Sequence, residues 1–124
     1  MNIKKELQRL NIEDIIWIIY FFIILFSIYT NYLDRKYLLQ KDKEAQNKEK
    51  AINIIISFIV FFIYIYFLKI SYEDYNNVKI KSWQNKTYKN NFISLIGSIL
   101  FLIAGFLDIY TSINTTDPDE IGFI

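Results

Sequence analysis

The sequence predicts an all-α integral membrane protein, a bundle of three transmembrane helices preceded by a short amphipathic amino-terminal segment. Three observations carry that prediction. The chain holds three apolar runs, at residues 15–33, 51–70 and 92–113, and its charged residues crowd into the segments between them. At 53% apolar and 19% aromatic, with one proline and three glycines, it is also greasier and poorer in turn residues than soluble domains are. The chain, 1–124, reads as a single membrane domain with loops at 34–50 and 71–91 and an acidic carboxyl-terminal tail at 114–124.

Each run is roughly 19 to 22 residues long, and about 20 residues at a rise of 1.5 Å cross about 30 Å of hydrocarbon. Open strands are excluded there, because lipid offers no partner to an unpaired N–H or C=O. Isoleucine dominates the runs and is a weak helix former in water, but a loss of under about 1 kcal/mol per residue is small beside unsatisfied backbone in hydrocarbon.

Asn11, followed three residues later by Asp14, predicts a capped start to the first helix, and Glu13 complements its positive end. Ahead of it, Ile3, Leu7 and Leu10 share one helical face while Lys4, Lys5 and Arg9 lie elsewhere, the pattern of a helix resting in the headgroup layer. No small-residue cleavage site follows the first run, which ends Tyr29-Thr30-Asn31-Tyr32, so it is expected to be retained. Trp17 and Tyr20, then Tyr29, Tyr32 and Tyr37, flank the first run. Tyr64, Tyr66, Tyr72 and Tyr75 mark the end of the second, and Tyr88 precedes the third. Aromatic belts of this kind set depth in a bilayer, a simpler reading than a cofactor box.

Three spans place the termini on opposite sides. The amino-terminal tail and second loop then share Lys4, Lys5, Arg9, Lys69, Lys79, Lys81, Lys86 and Lys89, against Arg35, Lys36, Lys41, Lys43, Lys48 and Lys50 in the first loop. The bias favours a cytoplasmic amino terminus in a cell membrane, and the carboxyl tail without a basic residue agrees, although the first run has the more basic flank downstream. The first loop, rich in Lys, Glu, Gln and Ala, is expected to continue the flanking helices before turning, with Glu44 and Lys48 as an i,i+4 pair. The second, with Val78, Ile80 and Trp83 among lysines and asparagines, reads as interfacial. In the tail, Asp117, Asp119 and Glu120 precede an apolar end and form no complete cation loop.

Without cysteine or histidine, the chain cannot form disulfides, thiolate or imidazole metal sites, or a Ser-His or Cys-His centre. It carries no P-loop, dinucleotide fingerprint or nucleophile elbow. No enzyme, cofactor or metal is therefore expected, and 14 basic against 13 acidic residues give no reason to expect nucleic acid. The excess of Ile, Asn, Lys, Tyr and Phe, residues with AT-rich codons, is the usage of a low-GC bacterial genome. Two functional classes remain. One is a structural or accessory protein acting through helix contacts with itself or a membrane partner; the other is a homo-oligomeric pore or carrier for a small cation or solute. In layout alone, three spans with charged loops resemble holins and immunity proteins, a likeness that covers no motif.

Polar side chains within the runs are expected to face protein. On the first helix these are Glu13, Tyr20, Ser27, Asn31 and Asp34, and on the second Asn53, Ser57, Tyr64 and Ser71. On the third, stepping about 100° per residue brings Ser94, Gly97, Ser98, Phe101, Gly105, Asp108 and Ser112 to one stripe. Small residues let backbones approach closely, so this stripe is the expected packing seam. Asp108 is expected either at the solvated boundary or turned inward to a Tyr or Lys, and in a pore it would select a cation.

Overall fold

The computed structural model of the protein describes residues 3–114. These residues form three α-helices, α1 (Ile3–Gln40), α2 (Lys43–Asn76) and α3 (Lys86–Ile113), and no strand. With 38, 34 and 28 residues, the helices are about 57, 51 and 42 Å long, and each is long and apolar enough to cross a membrane. Apart from Asn114, which caps α3 by donating its backbone N–H to Tyr110 O at 3.1 Å, the acidic tail lies outside the described residues.

The helices overrun the apolar runs. No helix starts at Asn11: α1 is unbroken from Ile3 through Asp14, because nothing between them breaks a helix and Lys, Glu, Leu, Gln and Arg all favour one. An Arg9–Glu6 pair at 3.4 Å supports that first stretch. The first loop reduces to a turn at residues 41–42, both flanking helices continuing through it, and the second reduces to 77–85.

The chain divides into two units, Met1–Asn53 and Ile54–Ile124, with α2 running through the division. In the first unit the turn is built by three neighbouring side chains. Lys41 takes the left-handed conformation, φ 56°, and its N–H donates to Tyr37 O at 2.7 Å, ending α1. Asp42 then caps α2, its Oδ1 accepting from the N–H groups of Glu44 and Ala45 at 3.0 and 3.3 Å, while Lys36 Nζ approaches the other oxygen at 3.4 Å. The ammonium groups of Lys41 and Lys43 stand 5.6 and 5.9 Å from the centre of the buried Tyr37 ring. The N–H of Ala45, followed by Lys36 and the N–H of Glu44, holds the Asp42 carboxyl below the usual carboxylate range against a desolvation cost.

Buried residues on α1 are Ile16, Thr30, Leu33 and Tyr37. Of the expected polar stripe, Ser27 and Asn31 are exposed and Glu13, Tyr20 and Asp34 half-buried. The buried stripe lies three residues over, about 60° around the helix. Thr30 sits there with its polar group satisfied within α1, its hydroxyl donating to Ser27 O at 2.8 Å.

Asp42→Ala removes the cap and the Lys36 pair together and lowers the thermal midpoint measured by circular dichroism in micelles. The sign of the pH effect follows from the lowered carboxyl: its stabilisation is complete above the ordinary carboxylate pKa and is lost as pH falls through the lowered folded value. Asp42→Asn keeps a capping oxygen without titrating, so the stabilities of the native protein and this variant should diverge as pH rises out of that acid range and stay parallel above it.

Candidate functional site

In the second unit, α2 and α3 pack antiparallel along a seam with three layers. Ser57, Tyr64 and Ser71 recur every seven residues up α2, and Ser112, Gly105 and Ser98 recur every seven residues down α3. That common period keeps one face of each helix on the other, as in coiled coils.

In the middle layer a ring fills a notch. Gly105 is buried, and a β-carbon there would lie 3.0 Å from Tyr64 Cδ2 and 3.3 Å from Phe61 Cδ2. Tyr64 is also held from the side by Phe101, one turn before Gly105, at a ring separation of 5.5 Å. The ring cannot withdraw without leaving Phe101. At one end of the seam, the hydroxyls of Ser71 and Ser98 are 2.7 Å apart.

The other end holds the acid. Ser57, 4% exposed, donates from Oγ to Asp108 Oδ2 at 3.1 Å and lies 2.9 Å from Ser112 Oγ. A serine has one proton, so with Ser57 donating to Asp108 the proton of Ser112 must point to Ser57. The three groups form a directed chain ending on the carboxylate. Asp108 itself remains exposed, so the carboxylate both closes the seam and meets the surroundings of the helix pair; its inward contact is to a serine, where the inward alternative named a Tyr or Lys. The Thr111 hydroxyl donates to the Asp108 backbone O at 3.0 Å.

Of the expected packing residues, Ser98, Gly105 and Ser112 therefore meet α2 directly. Gly97 faces open space, with nothing within 4 Å of a β-carbon built on it, and Ser94 is exposed. Of the polar intramembrane set, Ser57 and Asp108 are brought together and Asn53 is half-buried in the first unit. The periodicity of either helix alone does not reveal the partnership of Ser57 with Asp108; the matching seven-residue spacing in opposite directions on the two helices pairs Ser57 with Ser112, and Asp108 lies one turn from Ser112.

Beyond the seam, an open pocket of about 490 Å³ is lined by Asp74, Asn77, Lys79, Ile80, Asn85 and Asn91 among others. Two of its three amides are committed, Asn85 Nδ2 donating to Ile80 O at 2.8 Å and Asn91 Nδ2 to Asp74 O at 3.2 Å. Among the described residues no group of three or more Asp or Glu could hold a metal. Compared with protein-family models, curated proteins and solved structures, the chain matches none.

The seam separates the two glycines experimentally. Gly105→Ala must displace Tyr64 and should destabilise the folded protein by about 1–3 kcal/mol. Gly97→Ala meets no atom and should be neutral or stabilising, by up to about 1 kcal/mol from helix propensity. A double-mutant cycle on Ser57→Ala and Ser112→Ala should return a coupling of about 0.6 kcal/mol, the scale of interhelical hydrogen bonds in membranes. Denaturant titration of the protein in bicelles measures all three, and equal effects at Gly97 and Gly105 would rule out the notch.

Proposed function

We propose that this chain is a small integral membrane protein with a structural or accessory role, acting through helix–helix contacts with itself or a membrane partner. The supporting observation is where its apolar surface lies. Trp17, Phe21, Phe22, Ile24 and Ile28 on α1, Ile55 and Phe62 on α2, and Leu100, Ile103, Phe106 and Leu107 on α3 are all exposed, whereas the buried apolar set is Ile16, Leu33, Tyr37, Ala45 and Ile63. Water would not tolerate so much exposed hydrocarbon on a lone chain, and lipid or a second hydrophobic surface would. The seam supports a packing role, since its serine hydroxyls bond to one another and to Asp108 across the two helices. The amino terminus is assigned to the cytoplasmic side of a cell membrane and the carboxyl terminus outside, on the charge bias between the loops.

One observation favours a second reading, an oligomeric pore or carrier for a small cation. Asp108 is a carboxylate in an apolar stretch, exposed on the helix pair, and ionisable groups at such depth are costly unless they serve a path or a partner. Crosslinking of the full chain in native membranes decides the first reading: a product larger than one copy is expected, and monomer alone at every expression level would overturn it. Ion flux in protein-loaded vesicles separates the second, since only a conducting assembly predicts that Asp108→Asn abolishes flux while the crosslinked product persists.

A further inference from the structure

Residues 77–91, running from the end of α2 through the first turns of α3, carry Lys79, Lys81, Lys86 and Lys89 and no acidic residue. All four lysines are exposed. Two large apolar side chains are turned outward among them, Ile80 at 66% and Trp83 at 54% exposure. Beside them lies an aromatic floor in which Tyr75 packs on Tyr88 and Phe92 at 5.6 and 6.1 Å, and Trp83 meets Phe92 edge-on at 5.8 Å. Two ammonium groups rest against these rings, Lys81 Nζ 5.6 Å from the centre of Tyr75 and Lys89 Nζ 5.3 Å from that of Trp83. The segment is locally ordered by Asn85, which caps α3 by accepting from Thr87 N and ties back to Ile80 O.

We infer that residues 77–91 form a docking surface for the anionic lipid headgroups of the bilayer. The four ammonium groups meet lipid phosphates, and Trp83 and Ile80 enter the boundary between headgroups and acyl chains. Charge complementarity selects that occupant. In residues 34–50 the six basic side chains are interspersed with Asp34, Asp42, Glu44 and Glu49, and Lys36 and Lys48 are paired with Asp42 and Glu44 at 3.4 and 3.7 Å. Carboxylates there already supply the negative charge that lipid would bring. Residues 77–91 themselves carry no acid, so four lysines stand against one neighbouring carboxylate in the pocket that Lys79 lines, that of Asp74 at the end of α2. A basic, aromatic face of this kind gains about 1 kcal/mol per lysine near an anionic leaflet, and a zwitterionic leaflet has no equivalent field. The inference rests on the reading of the three helices as spans, and with three spans it places the amino-terminal tail on the same anionic leaflet.

Trp83 reports on this directly. Trp17→Phe leaves it as the sole tryptophan, and the full chain is reconstituted in phosphatidylcholine vesicles holding a minority of phosphatidylglycerol. Energy transfer from Trp83 is then compared for acceptor-labelled phosphatidylglycerol and acceptor-labelled phosphatidylcholine at equal mole fraction. A two- to fivefold enrichment of the anionic probe is expected, the upper value being the fold-change of about 1 kcal/mol, and it should fall with added salt. Substituting all four lysines by Gln (K79Q, K81Q, K86Q, K89Q) should return the ratio to one, and the corresponding Arg set should keep it. Equal transfer to both probes in the native sequence, with the protein floating with the vesicles, would overturn the lipid surface and leave the spans standing. Failure to float with vesicles of either composition would overturn the spans, and this inference with them.

Discussion

The contact between α2 and α3 turns on the ring of Tyr64 seated against the bare backbone of Gly105. For helices in lipid, the setting proposed for this chain, there is no hydrophobic drive, because the surrounding chains are as apolar as the side chains they would replace, and association there comes from fit and from hydrogen bonds. Gly105 supplies the fit by having no β-carbon where Tyr64 Cδ2 comes within 3.0 Å of that position. Phe101 closes the side of the notch, so the ring is fixed against α3 in two directions. Once that layer is set, the seven-residue steps carry Ser71 to Ser98 in one direction and Ser57 to Ser112 in the other.

The hydroxyl layers add direction to that fit. A dispersion contact tolerates sliding, whereas a serine pair at 2.7 Å or the Ser112–Ser57–Asp108 chain is lost when the helices shift by a fraction of a turn. The seam thus has an apolar middle that sets distance and polar ends that set register. Asp108 ends one of those chains while staying exposed.

Outside the seam the two turns solve the same problem with different chemistry. At 41–42 the chain reverses in two residues by pairing a left-handed Lys41 with the Asp42 cap, and charges of both signs lie close enough to neutralise one another. At 77–85 the reversal is wider, its carbonyls and N–H groups are tied by Asn85 and Ser82, and its charges are of one sign over a floor of rings. That difference in charge mixing distinguishes the two ends of α2 more sharply than the count of basic residues does.

The sequence by itself determined the all-helical class, the number of helices and the stretches that are apolar enough to span, because backbone satisfaction in an apolar run admits no other local answer. It also determined that Ser98, Gly105, Asp108 and Ser112 share a face, since that follows from the helical period alone. It misplaced helix boundaries in two places: Asn11 reads as a cap and is interior, and α2 and α3 both reach into 71–91, because polar residues with good propensity do not stop a helix that nothing breaks, whereas the continuation of α1 and α2 into 34–50 follows from its Lys, Glu, Gln and Ala. Only the tertiary structure decided that Ser57 is the partner of Asp108, that Gly105 and not Gly97 holds a ring, and that Thr30 and not Ser27 is buried on α1. The reason is the same in each case. A periodicity names the candidate faces of one helix, but neighbouring faces are both available, and the choice of face and of partner belongs to the side chains that pack there.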